Sequence, residues 1–363
     1  MDVSVVIPTY NERKNIRELI QDVQENLPTG DHEVVVVDDG SPDGTADVVR
    51  EAGEDDDRVR LVERDAKAGI GSAYKDAFRE VEGDIVIQMD ADFSHPPEHL
   101  PDLIAAVEAG NDVAVGSRYV EGGDRNDPLH RRIPPLIGSY LYRYGIGVPV
   151  RDITSGFKAY RRDVARSVAG DDLPDGYHFQ AASLYSALQD GAEVEEVPIA
   201  FRPRRHGEPK YEYPWDLLDN LVLFGKLMLR EREEVFKFAT VGGIGTVVNM
   251  GLLYLLTEFA GIYYLASAVV AIEGSILFNF ALNEVWTFAE KGRAGISRLL
   301  QRLGKANTVY LMGAAVNLVT LWALTELAGI YYLVSNFLGI LAGFTWNYLG
   351  NRRWTWAAEP VES

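Results

Sequence analysis

The segment DIVIQMDADFSHPP, residues 84–97, decides how the first part of this chain folds. Its apolar run, IVIQM, ends at two carboxylates one residue apart, Asp90 and Asp92. Similar runs lie on both sides of it, at 3–8, 33–39, 58–63 and 112–117. Stretches with a helical pattern lie between these runs, at 11–27, 43–52, 71–81 and 97–109. Alternation of strands and helices at this spacing predicts an α/β domain with a parallel, doubly wound sheet.

Polar motifs follow the predicted strands, at the edge where sheets of this kind bind ligands. They occupy residues 8–12, 38–44, 90–97 and 117–119. Helix caps and turn formers explain each motif on its own. The pair Asp90 and Asp92 is the most specific, because two carboxylates at a strand end can bind a hard divalent cation that also binds phosphates. Such pairs also occur in solvated loops, so it is the position after a buried strand that favours a metal site.

Charge is divided unevenly along the chain. Residues 1–235 contain 47 Asp and Glu against 27 Lys and Arg, whereas residues 236–363 contain 7 against 8. This change, in a chain of 363 residues, predicts two domains. The acidic part argues against nucleic acid as a partner, since that polyanion requires clustered cations, and it is also typical of halophilic proteins. Without cysteine the chain has no disulfide, thiolate metal site or cysteine nucleophile.

Beyond residue 236 the chain becomes strongly apolar. Four segments are each about long enough to cross a bilayer as a helix, at 238–257, 263–282, 308–325 and 331–349. A buried helical bundle in a soluble protein is the alternative. The lengths of the segments and the near absence of charge favour a membrane domain.

The apolar part contains an internal repeat. The sequence GIYYL occurs at 261–265 and again at 329–333, an offset of 68 residues. Without a gap, residues 237–288 align with 305–356 at 22 identities in 52 positions. Each repeat is therefore predicted to be a hairpin of two spans, and the two repeats have the same orientation in the membrane.

Positive charge predicts the orientation of these spans. Lys and Arg precede the first span, lie between the second and third, and follow the fourth, whereas the turns around Gly261 and Gly329 contain none. Both termini and the first domain are therefore expected in the cytoplasm. The N-terminus enters an apolar strand at Val3 with no basic segment or cleavage site, so we expect no secretory signal.

Two further stretches have the composition of helices that lie in the membrane surface. Residues 133–150 mix aromatic residues, Leu and Arg, and residues 214–230 place Trp215, Leu218 and Val222 close to one helical face. Amphipathic helices with aromatic and basic residues can lie among lipid headgroups. Ordinary core helices are the alternative for both.

Taken in order, these motifs resemble one known family. IPTYNE, VDDGSPDGT, MDADFSHPPE, GSRY and DITSGFKAYRR follow one another as in glycosyltransferase family 2, and specifically as in the dolichyl-phosphate mannose synthases. The apolar part resembles the GtrA-like domain of four transmembrane helices that accompanies some of these enzymes. Together the two resemblances cover nearly the whole chain.

The resemblance implies roles for individual residues. Pro8, Tyr10 and Glu12 would line the nucleotide pocket, and Asp39 would contact the base or ribose. Asp90 and Asp92 would hold Mg²⁺ or Mn²⁺ against the diphosphate, and the third position on the metal side, often Gln in relatives, is Ser94 here. The acceptor phosphate would be bound by residues from GSRY and the segment that follows, namely Arg118, Arg131, Arg132 and Ser139.

The family also has a basic loop similar to R-x-G-E-S-K, which closes over the nucleotide. Here it reads Arg205-His206-Gly207-Glu208-Pro209-Lys210, with Pro in place of Ser. That replacement removes a hydroxyl and a backbone donor. Arg205 and Lys210 remain as expected phosphate contacts. A solvated loop is the alternative for this run of charge.

The chemistry of the expected reaction also follows from its substrates. A phosphate monoester is already anionic, so it needs no general base to become a nucleophile. The enzyme must hold two anionic groups together and stabilise the leaving nucleoside diphosphate. Asp92, Arg118 and Arg131 are the residues expected to carry catalysis, and a single displacement inverts the anomeric carbon. The expected substrates are a nucleotide sugar, with GDP-mannose favoured, and dolichyl or another polyprenyl phosphate.

Other functions stay open on the sequence alone. A polyprenyl-phosphate glucosyltransferase that uses UDP-glucose would share nearly every motif. A processive polysaccharide synthase usually has a Q-x-x-R-W motif, which this chain lacks. A transporter of lipid-linked sugars with an accessory transferase domain is a third alternative.

The expected architecture has three parts. Residues 1–210 form a cytoplasmic catalytic domain of the GT-A, Rossmann-like type, and residues 211–235 form an interfacial helix and linker. Residues 236–358 form an all-α domain of four transmembrane helices. We expect a multi-pass protein of the cell membrane, and we expect that identical chains can associate through the transmembrane domain.

The predicted orientation can be tested with single cysteines, because the chain has none of its own. Cysteines placed beside Gly261 and Gly329 should react with an impermeant thiol reagent added outside intact cells. A cysteine beside Arg298 should stay unlabelled until the cells are opened. Labelling of the Arg298 position alone in intact cells would reverse the orientation.

Overall fold

The computed structural model describes residues 1–27, 31–125, 129–207, 215–289 and 295–356. For residues 125, 129–132, 134, 264, 265, 268, 332 and 333 it describes the backbone only. The chain divides into two compact units, Met1–Met228 and Leu229–Ser363. Each unit has its own core.

The first unit contains a seven-stranded sheet in the order β3-β2-β1-β4-β7-β5-β8 within the described residues. Its strands are β1 Val3–Thr9, β2 His32–Asp38, β3 Val59–Glu63, β4 Ile85–Gln88, β5 Val113–Ser117, β7 Lys158–Arg161 and β8 Val194–Pro198. Two short strands, β6 Asp124–Arg125 and β9 Ala200–Phe201, pair separately in parallel. The first five strands follow the predicted apolar runs, and the expected α/β fold is confirmed.

One strand departs from the predicted parallel sheet. β7 lies between β4 and β5 and runs antiparallel to both. An antiparallel strand enters the sheet where its parallel neighbours leave it. The segment DITSG, residues 152–156, is therefore brought to the edge where β4 and β5 end. A strand of four residues has too little pattern to reveal its direction from the sequence.

Helices cover both faces of the sheet. They are α1 Ile16–Asn26, α2 Thr45–Asp55, α3 Ile70–Glu80, α4 Leu100–Glu108, α5 Leu129–Leu141, α6 Arg162–Ser167, α7 Phe179–Gln189 and α8 Trp215–Glu231. A 3-10 turn, Pro97–His99, precedes α4, and a π-helical turn, Tyr142–Ile146, follows α5. Apolar residues of α1, α2 and α4 pack on one face and those of α3 and α7 on the other. Burial on both faces explains why the strands read as continuous apolar runs.

Helices α5 and α8 divide their apolar residues between core and surface. Tyr142 and Ile146 are buried, and Phe224 of α8 packs against the same core. Ile137, Tyr140 and Tyr144 are exposed, as are four α8 residues, Trp215, Leu218, Val222 and Leu229. Each stretch therefore has a core face and an exposed apolar face, and its location in the membrane surface stays a prediction.

The second unit is built from two similar helical hairpins. Its helices are α9 Glu233–Tyr254, α10 Tyr264–Leu282, α11 Ile296–Trp322 and α12 Tyr332–Gly350. A π-helical turn follows each helix, at Leu255–Phe259, Asn283–Thr287, Ala323–Leu327 and Asn351–Thr355. Gly261 and Gly329 occupy equivalent turns with φ of 66° and 67°. The two halves of the sequence repeat therefore have the same secondary structure, and their turn glycines have nearly the same φ.

Close helix contacts repeat in the same way. A Cβ on Gly245 would lie 2.1 Å from Oδ1 of Asn279, and one on Gly313 would lie 2.0 Å from Oδ1 of Asn347. These two pairs occupy equivalent positions in the repeats. Small residues that admit a polar side chain from a neighbouring helix are typical of packing in membranes.

Three helices in the described part of the chain are long and apolar enough to span a membrane, at Glu233–Phe259, Val269–Thr287 and Ile296–Leu327. They correspond to the first three predicted spans. The fourth predicted span coincides with α12, which is helical but is not among those three. A total of four spans therefore stays a prediction.

The two hairpins exchange ion pairs between equivalent positions. Glu284, at the end of the first repeat, lies 2.7 Å from Arg302, just before the second. Glu234, before the first repeat, lies 3.3 Å from Arg352 at the end of the second. With the 68-residue offset, Glu234 corresponds to Arg302 and Glu284 to Arg352. The first hairpin thus supplies both acidic residues and the second hairpin both basic residues. The two hairpins therefore attract each other at these positions, whereas two copies of one hairpin would repel.

The two ion pairs differ in burial, and this difference predicts unequal stability. The side chains of Glu284 and Arg302 are 13% and 14% exposed, whereas those of Glu234 and Arg352 are 28% and 53% exposed. Glu284 also accepts a hydrogen bond from Nε1 of Trp356. Glu284→Ala should cost about 3 kcal/mol, because it removes the 2.7 Å ion pair of a largely buried cation. Glu234→Ala should cost less than about 1 kcal/mol.

Thermal unfolding of the purified full-length protein in detergent measures both variants. Glu234→Ala is the matched control, since it removes the same chemical group at the other pair. Equal losses in Tm would contradict the assignment of the buried pair as the stronger one.

Candidate active site

A polar cavity of about 290 Å³ lies at the carboxyl ends of three neighbouring strands. β1, β2 and β4 are parallel neighbours, so the residues that follow them meet at one edge. The structure brings six of the predicted site residues to its wall, namely Pro8, Tyr10, Glu12, Asp39, Asp90 and Asp92. Thr9, Lys67, Gly69, Ile70, Tyr177 and Arg204 also line it.

Hydrogen bonds after β1 and β2 hold the first wall of this cavity. Asp38 accepts hydrogen bonds from the hydroxyls of Thr9 and Ser41, at 2.9 and 2.6 Å. Ser41 in turn accepts one from the backbone N–H of Asn11, which has a positive φ of 56°. The buried Asp38 is therefore a structural link between the two motifs, and Asp39 is the carboxylate that faces the cavity.

Asp39 is held by groups from the segment that follows β3. Its Oδ1 lies 2.9 Å from Nη1 of Arg64, and its Oδ2 accepts a hydrogen bond from the backbone N–H of Ala68. Burial raises the pKa of the Asp39 carboxyl above its usual value, and the Arg64 guanidinium offsets part of that rise. The two oxygens offer about four lone-pair sites between them, so the Asp39 carboxylate can still accept a hydrogen bond from a ligand.

The turn that follows β4 positions Asp90 and Asp92. Oδ1 of Asp92 accepts the backbone N–H of Ser94 at 2.9 Å, and the backbone N–H of Asp90 donates to Nδ1 of His95 at 3.1 Å. His95 stacks on Phe157, and burial lowers the pKa of His95 to about 4. The ring is therefore neutral near pH 7, with a lone pair on Nδ1 for the Asp90 N–H. His95 supports the turn that carries both carboxylates.

The two carboxylates suit a hard divalent cation. Burial, together with the neighbouring Asp92, raises the pKa of Asp90 to about 7. A cation bound by the two carboxylates would oppose this rise, as the Arg204 guanidinium already does in part. No third His, Cys, Asp or Glu completes a metal-binding group among the described residues. Two oxygen ligands still fit Mg²⁺ or Mn²⁺ bound mainly through waters and substrate phosphates. Ser94 lies buried in the same turn.

Two neighbouring arginines of the basic loop, Arg204 and Arg205, have different surroundings. Arg204, which the motif comparison passed over, lines the cavity and lies 2.9 Å from Glu12 and 2.8 Å from Asp92. Arg205 instead pairs with Glu18, is about half exposed, and lies over the ring of Phe93. Lys210 lies outside the described residues. Arg205 is therefore absent from the described lining of the cavity, and its contact with a phosphate stays a prediction, as does that of Lys210.

A second, mostly apolar cavity of about 480 Å³ lies beside the first. Its walls come from α5, the start of α7 and α8, with Ile133, Ile137, Leu141, Leu217, Leu221 and Phe224 as apolar lining. Its polar lining includes Arg118, Thr154, Tyr177 and Gln180. Tyr177 lines both cavities, so the polar and apolar spaces adjoin.

Arg118 is a cation on the wall of the apolar cavity, and Asp152 and Thr154 hold its guanidinium. Nε and Nη2 lie 2.6 Å from the two oxygens of Asp152, and Nη2 donates to Thr154 at 3.1 Å. Asp152 is fully buried. A bidentate pair of this kind sets the guanidinium plane. Asp152 belongs to the quoted motif DITSGFKAYRR, but its contact with Arg118 spans 34 residues and was not foreseen.

The other residues expected at the acceptor phosphate are placed less fully. Arg131 and Arg132 fall in α5, and their side chains lie outside the described part of the structure. Ser139 is buried in the same helix, and its Oγ has no hydrogen-bond partner among the described residues. The structure therefore brings Arg118 to the cavity, while the roles of the other three residues stay predictions.

A buried lysine lies behind both cavities. Lys158 on β7 is fully buried, and its Nζ donates to the main-chain oxygen of Gln180 at 2.7 Å. Burial lowers the pKa of Lys158 to about 7, a fall that Asp152 and Asp90 partly oppose. The motif GFKAYRR contained this residue, but nothing in the sequence marked its side chain as buried.

Comparisons with known proteins agree with the order of the two units. Residues 4–168 match the glycosyl transferase family 2, and residues 237–356 match the GtrA/DPMS transmembrane domain. A dolichol-phosphate mannosyltransferase of Pyrococcus furiosus is 38% identical over 98% of this chain and 100% of that protein. A polyprenol monophosphomannose synthase of Mycolicibacterium smegmatis is 42% identical over 57% of this chain and 79% of that protein.

Among solved structures, glucosyl-3-phosphoglycerate synthase of Mycobacterium tuberculosis superposes with a TM-score of 0.48 at 21% identity, over 63% of this chain and 79% of that one. The Pyrococcus furiosus relative is similar along its whole length, and the two family regions follow each other as predicted. The chain belongs to the glycosyltransferase family 2 enzymes that carry a GtrA/DPMS transmembrane domain.

Proposed function

We propose that this enzyme transfers mannose from GDP-mannose to dolichyl or another polyprenyl phosphate, with inversion at the anomeric carbon and with Mg²⁺ or Mn²⁺. The observation that carries the proposal is the meeting of two cavities at Tyr177. One is polar and contains paired carboxylates, and the other is apolar with Arg118 on its wall. The names of the two relatives support the lipid phosphate and the mannose.

The polar cavity suits a nucleoside diphosphate. Asp39 offers carboxylate oxygens, which match the N1–H and exocyclic amino donors of guanine. Tyr10 and Pro8 supply flat apolar surface beside it. Arg204 brings a cation to the side of the cavity where Asp92 lies, and this is where the diphosphate would be bound. Asp90 and Asp92 would hold the divalent cation, which supplies charge neutralisation of the leaving group when bound.

The apolar cavity suits the head of a polyprenyl phosphate. Arg118 would bind the phosphate, and its bidentate pair with Asp152 keeps the guanidinium in one orientation. Apolar side chains of α5 and α8 would contact the first isoprene units. The phosphate needs no general base, so the residues act by holding it in line with the anomeric carbon.

Exposed apolar faces suit the location of such an acceptor. Ile137 and Tyr140 of α5 and Trp215 and Leu218 of α8 are each between about two fifths and two thirds exposed. We propose that these faces lie in the headgroup region, so that the lipid enters the apolar cavity without leaving the bilayer. The catalytic unit and both termini would then lie on the cytoplasmic side, as the distribution of Lys and Arg predicts.

A donor panel tests the proposed function. Purified full-length protein is given dolichyl phosphate with GDP-mannose, GDP-glucose or UDP-glucose, and lipid-linked product is measured by mass spectrometry. We expect GDP-mannose to give the highest kcat/KM and a product of β configuration, because a single displacement inverts the α-linked donor. A clear preference for UDP-glucose would replace the proposal with the glucosyltransferase.

Removal of the metal site gives a separate prediction. Asp92→Ala should lower kcat by roughly 10³-fold, since metal assistance is worth several kcal/mol of transition-state stabilisation. Wild-type activity should be lost in excess EDTA and return when Mn²⁺ is added beyond the chelator. Asp102→Ala is the matched control, because Asp102 is an exposed acid in the first turn of α4. Full wild-type turnover in EDTA would contradict a metal-assisted mechanism.

A further inference from the structure

A buried glutamine on the wall of the apolar cavity belongs to no motif described above. Gln180 lies in the first turn of α7 and is 6% exposed. It lines the cavity together with Arg118 and Thr154. The direction in which its amide nitrogen points decides what this residue can bind.

The side-chain amide of Gln88, which contacts Gln180, has only one orientation that satisfies its neighbours. Nε2 of Gln88 lies 3.1 Å from the main-chain oxygen of Gly156. A carbonyl oxygen only accepts, so the Gln88 atom that faces it must be the nitrogen. That NH₂ group has a second hydrogen, which it donates to Oε1 of Gln180.

Lys158 is a second donor to Oε1 of Gln180, and it supports the same orientation of the Gln180 amide. Nζ of Lys158 lies 3.1 Å from Oε1 of Gln180 and 2.7 Å from its main-chain oxygen. Gln88 and Lys158 both donate to Oε1 of Gln180. If the oxygen and nitrogen of the Gln180 amide were interchanged, its NH₂ group would face two other donors and no acceptor. The amide nitrogen of Gln180 is therefore on the other side, away from this network.

That nitrogen borders a small gap at Gly156, which Asp90 also borders. A Cβ added to Gly156 would lie 3.5 Å from Nε2 of Gln180, 3.5 Å from Oδ1 of Asp90 and 3.1 Å from Cε1 of His95. Gly156 thus leaves a gap on which these three side chains converge. Within the described part of the chain no hydrogen bond engages Nε2 of Gln180. An oriented donor on a buried side chain without a partner indicates a ligand.

We propose that Nε2 of Gln180 donates a hydrogen bond to an oxygen of the acceptor phosphate, and that Lys158 and Gln88 are positioning residues for it. The proposal rests on the proposed function, from which it takes a phosphate as the ligand. Gln180 lines the cavity of Arg118 and is absent from the lining of the polar cavity. Asp152 already balances the charge of Arg118, and a neutral amide adds a donor without altering that balance.

Gln180→Glu separates a binding role from a structural one. The glutamate keeps an oxygen for Gln88 and Lys158, so the buried network remains satisfied. It replaces the outward NH₂ with a carboxylate oxygen that repels a phosphate. Gln189→Glu is the matched control, since Gln189 is an exposed glutamine at the end of the same helix.

The measurement is the Kd of farnesyl phosphate for the full-length protein in detergent, with the Kd of GDP and the Tm alongside. We expect Gln180→Glu to weaken farnesyl phosphate binding by about 10-fold or more, as for loss of a hydrogen bond to a charged group. The Kd of GDP and the Tm of Gln180→Glu should stay near the wild-type values. Gln189→Glu should change the Kd of neither farnesyl phosphate nor GDP. Lys158→Met should weaken farnesyl phosphate binding less, because Gln88 still orients the amide.

An unchanged affinity of Gln180→Glu for farnesyl phosphate would overturn the proposal. If that variant does not fold, Gly156→Ala provides the same test, since its methyl group would fill the gap in front of Nε2. Transfer by the wild type from GDP-mannose to dolichyl phosphate is assayed separately. A wild type that binds farnesyl phosphate but transfers no hexose would refute the proposed function, and the binding comparison would still decide the role of Gln180.

Discussion

Repulsion between carboxylates at one edge of the sheet is the constraint on which the site depends. Glu12, Asp39, Asp90 and Asp92 all line one cavity, because β1, β2 and β4 are parallel neighbours that end together. Arg204 pairs with Glu12 and Asp92, and Arg64 pairs with Asp39. Burial and the neighbouring Asp92 raise the pKa of Asp90, and Arg204 opposes only part of that rise. A surface of this kind favours a ligand that brings positive charge with it, as a nucleotide diphosphate does with its divalent cation.

The antiparallel strand β7 joins the two halves of the site. Neighbouring strands lie about 4.8 Å apart, so β7 separates the ends of β4 and β5 by roughly 10 Å. Its direction brings Asp152, Thr154 and Gly156 to the same edge, just before the strand begins. Asp152 and Thr154 hold Arg118, while Gly156 leaves the gap that Gln180 and Asp90 face. Lys158, at the start of β7, anchors Gln180 from behind.

Ion pairs also distinguish the two hairpins of the membrane unit. Its two hairpins have equivalent helices, turns and Asn–Gly contacts, so shape alone does not distinguish one hairpin from the other. Charge does, since Glu234 and Glu284 belong to the first hairpin and Arg302 and Arg352 to the second. Two copies of either hairpin would place like charges together. The ion pairs therefore favour association of unlike hairpins, and the buried one has the larger effect on stability.

Local sequence patterns were enough to predict the strands and helices and the edge of the sheet at which the cavity lies. Apolar runs and helical periodicity are local signals, and they placed β1 to β5, the helices between them and the carboxylates Asp90 and Asp92. The internal repeat likewise predicted two equivalent hairpins, because identical sequence adopts the same turns.

Contacts between distant segments were decided only by the tertiary structure. Arg204 and Arg205 are adjacent in the sequence, yet Arg204 pairs with Glu12 and Asp92 in the cavity wall whereas Arg205 pairs with Glu18. Asp152 reaches Arg118 across 34 residues, and Gln88 reaches Gln180 across 92. No local pattern encodes which polar side chains meet after the sheet has closed, since that depends on strand order and on the direction of β7. The orientation of the Gln180 amide is one example, because it depends on two donors, Gln88 and Lys158, that only the folded sheet brings together.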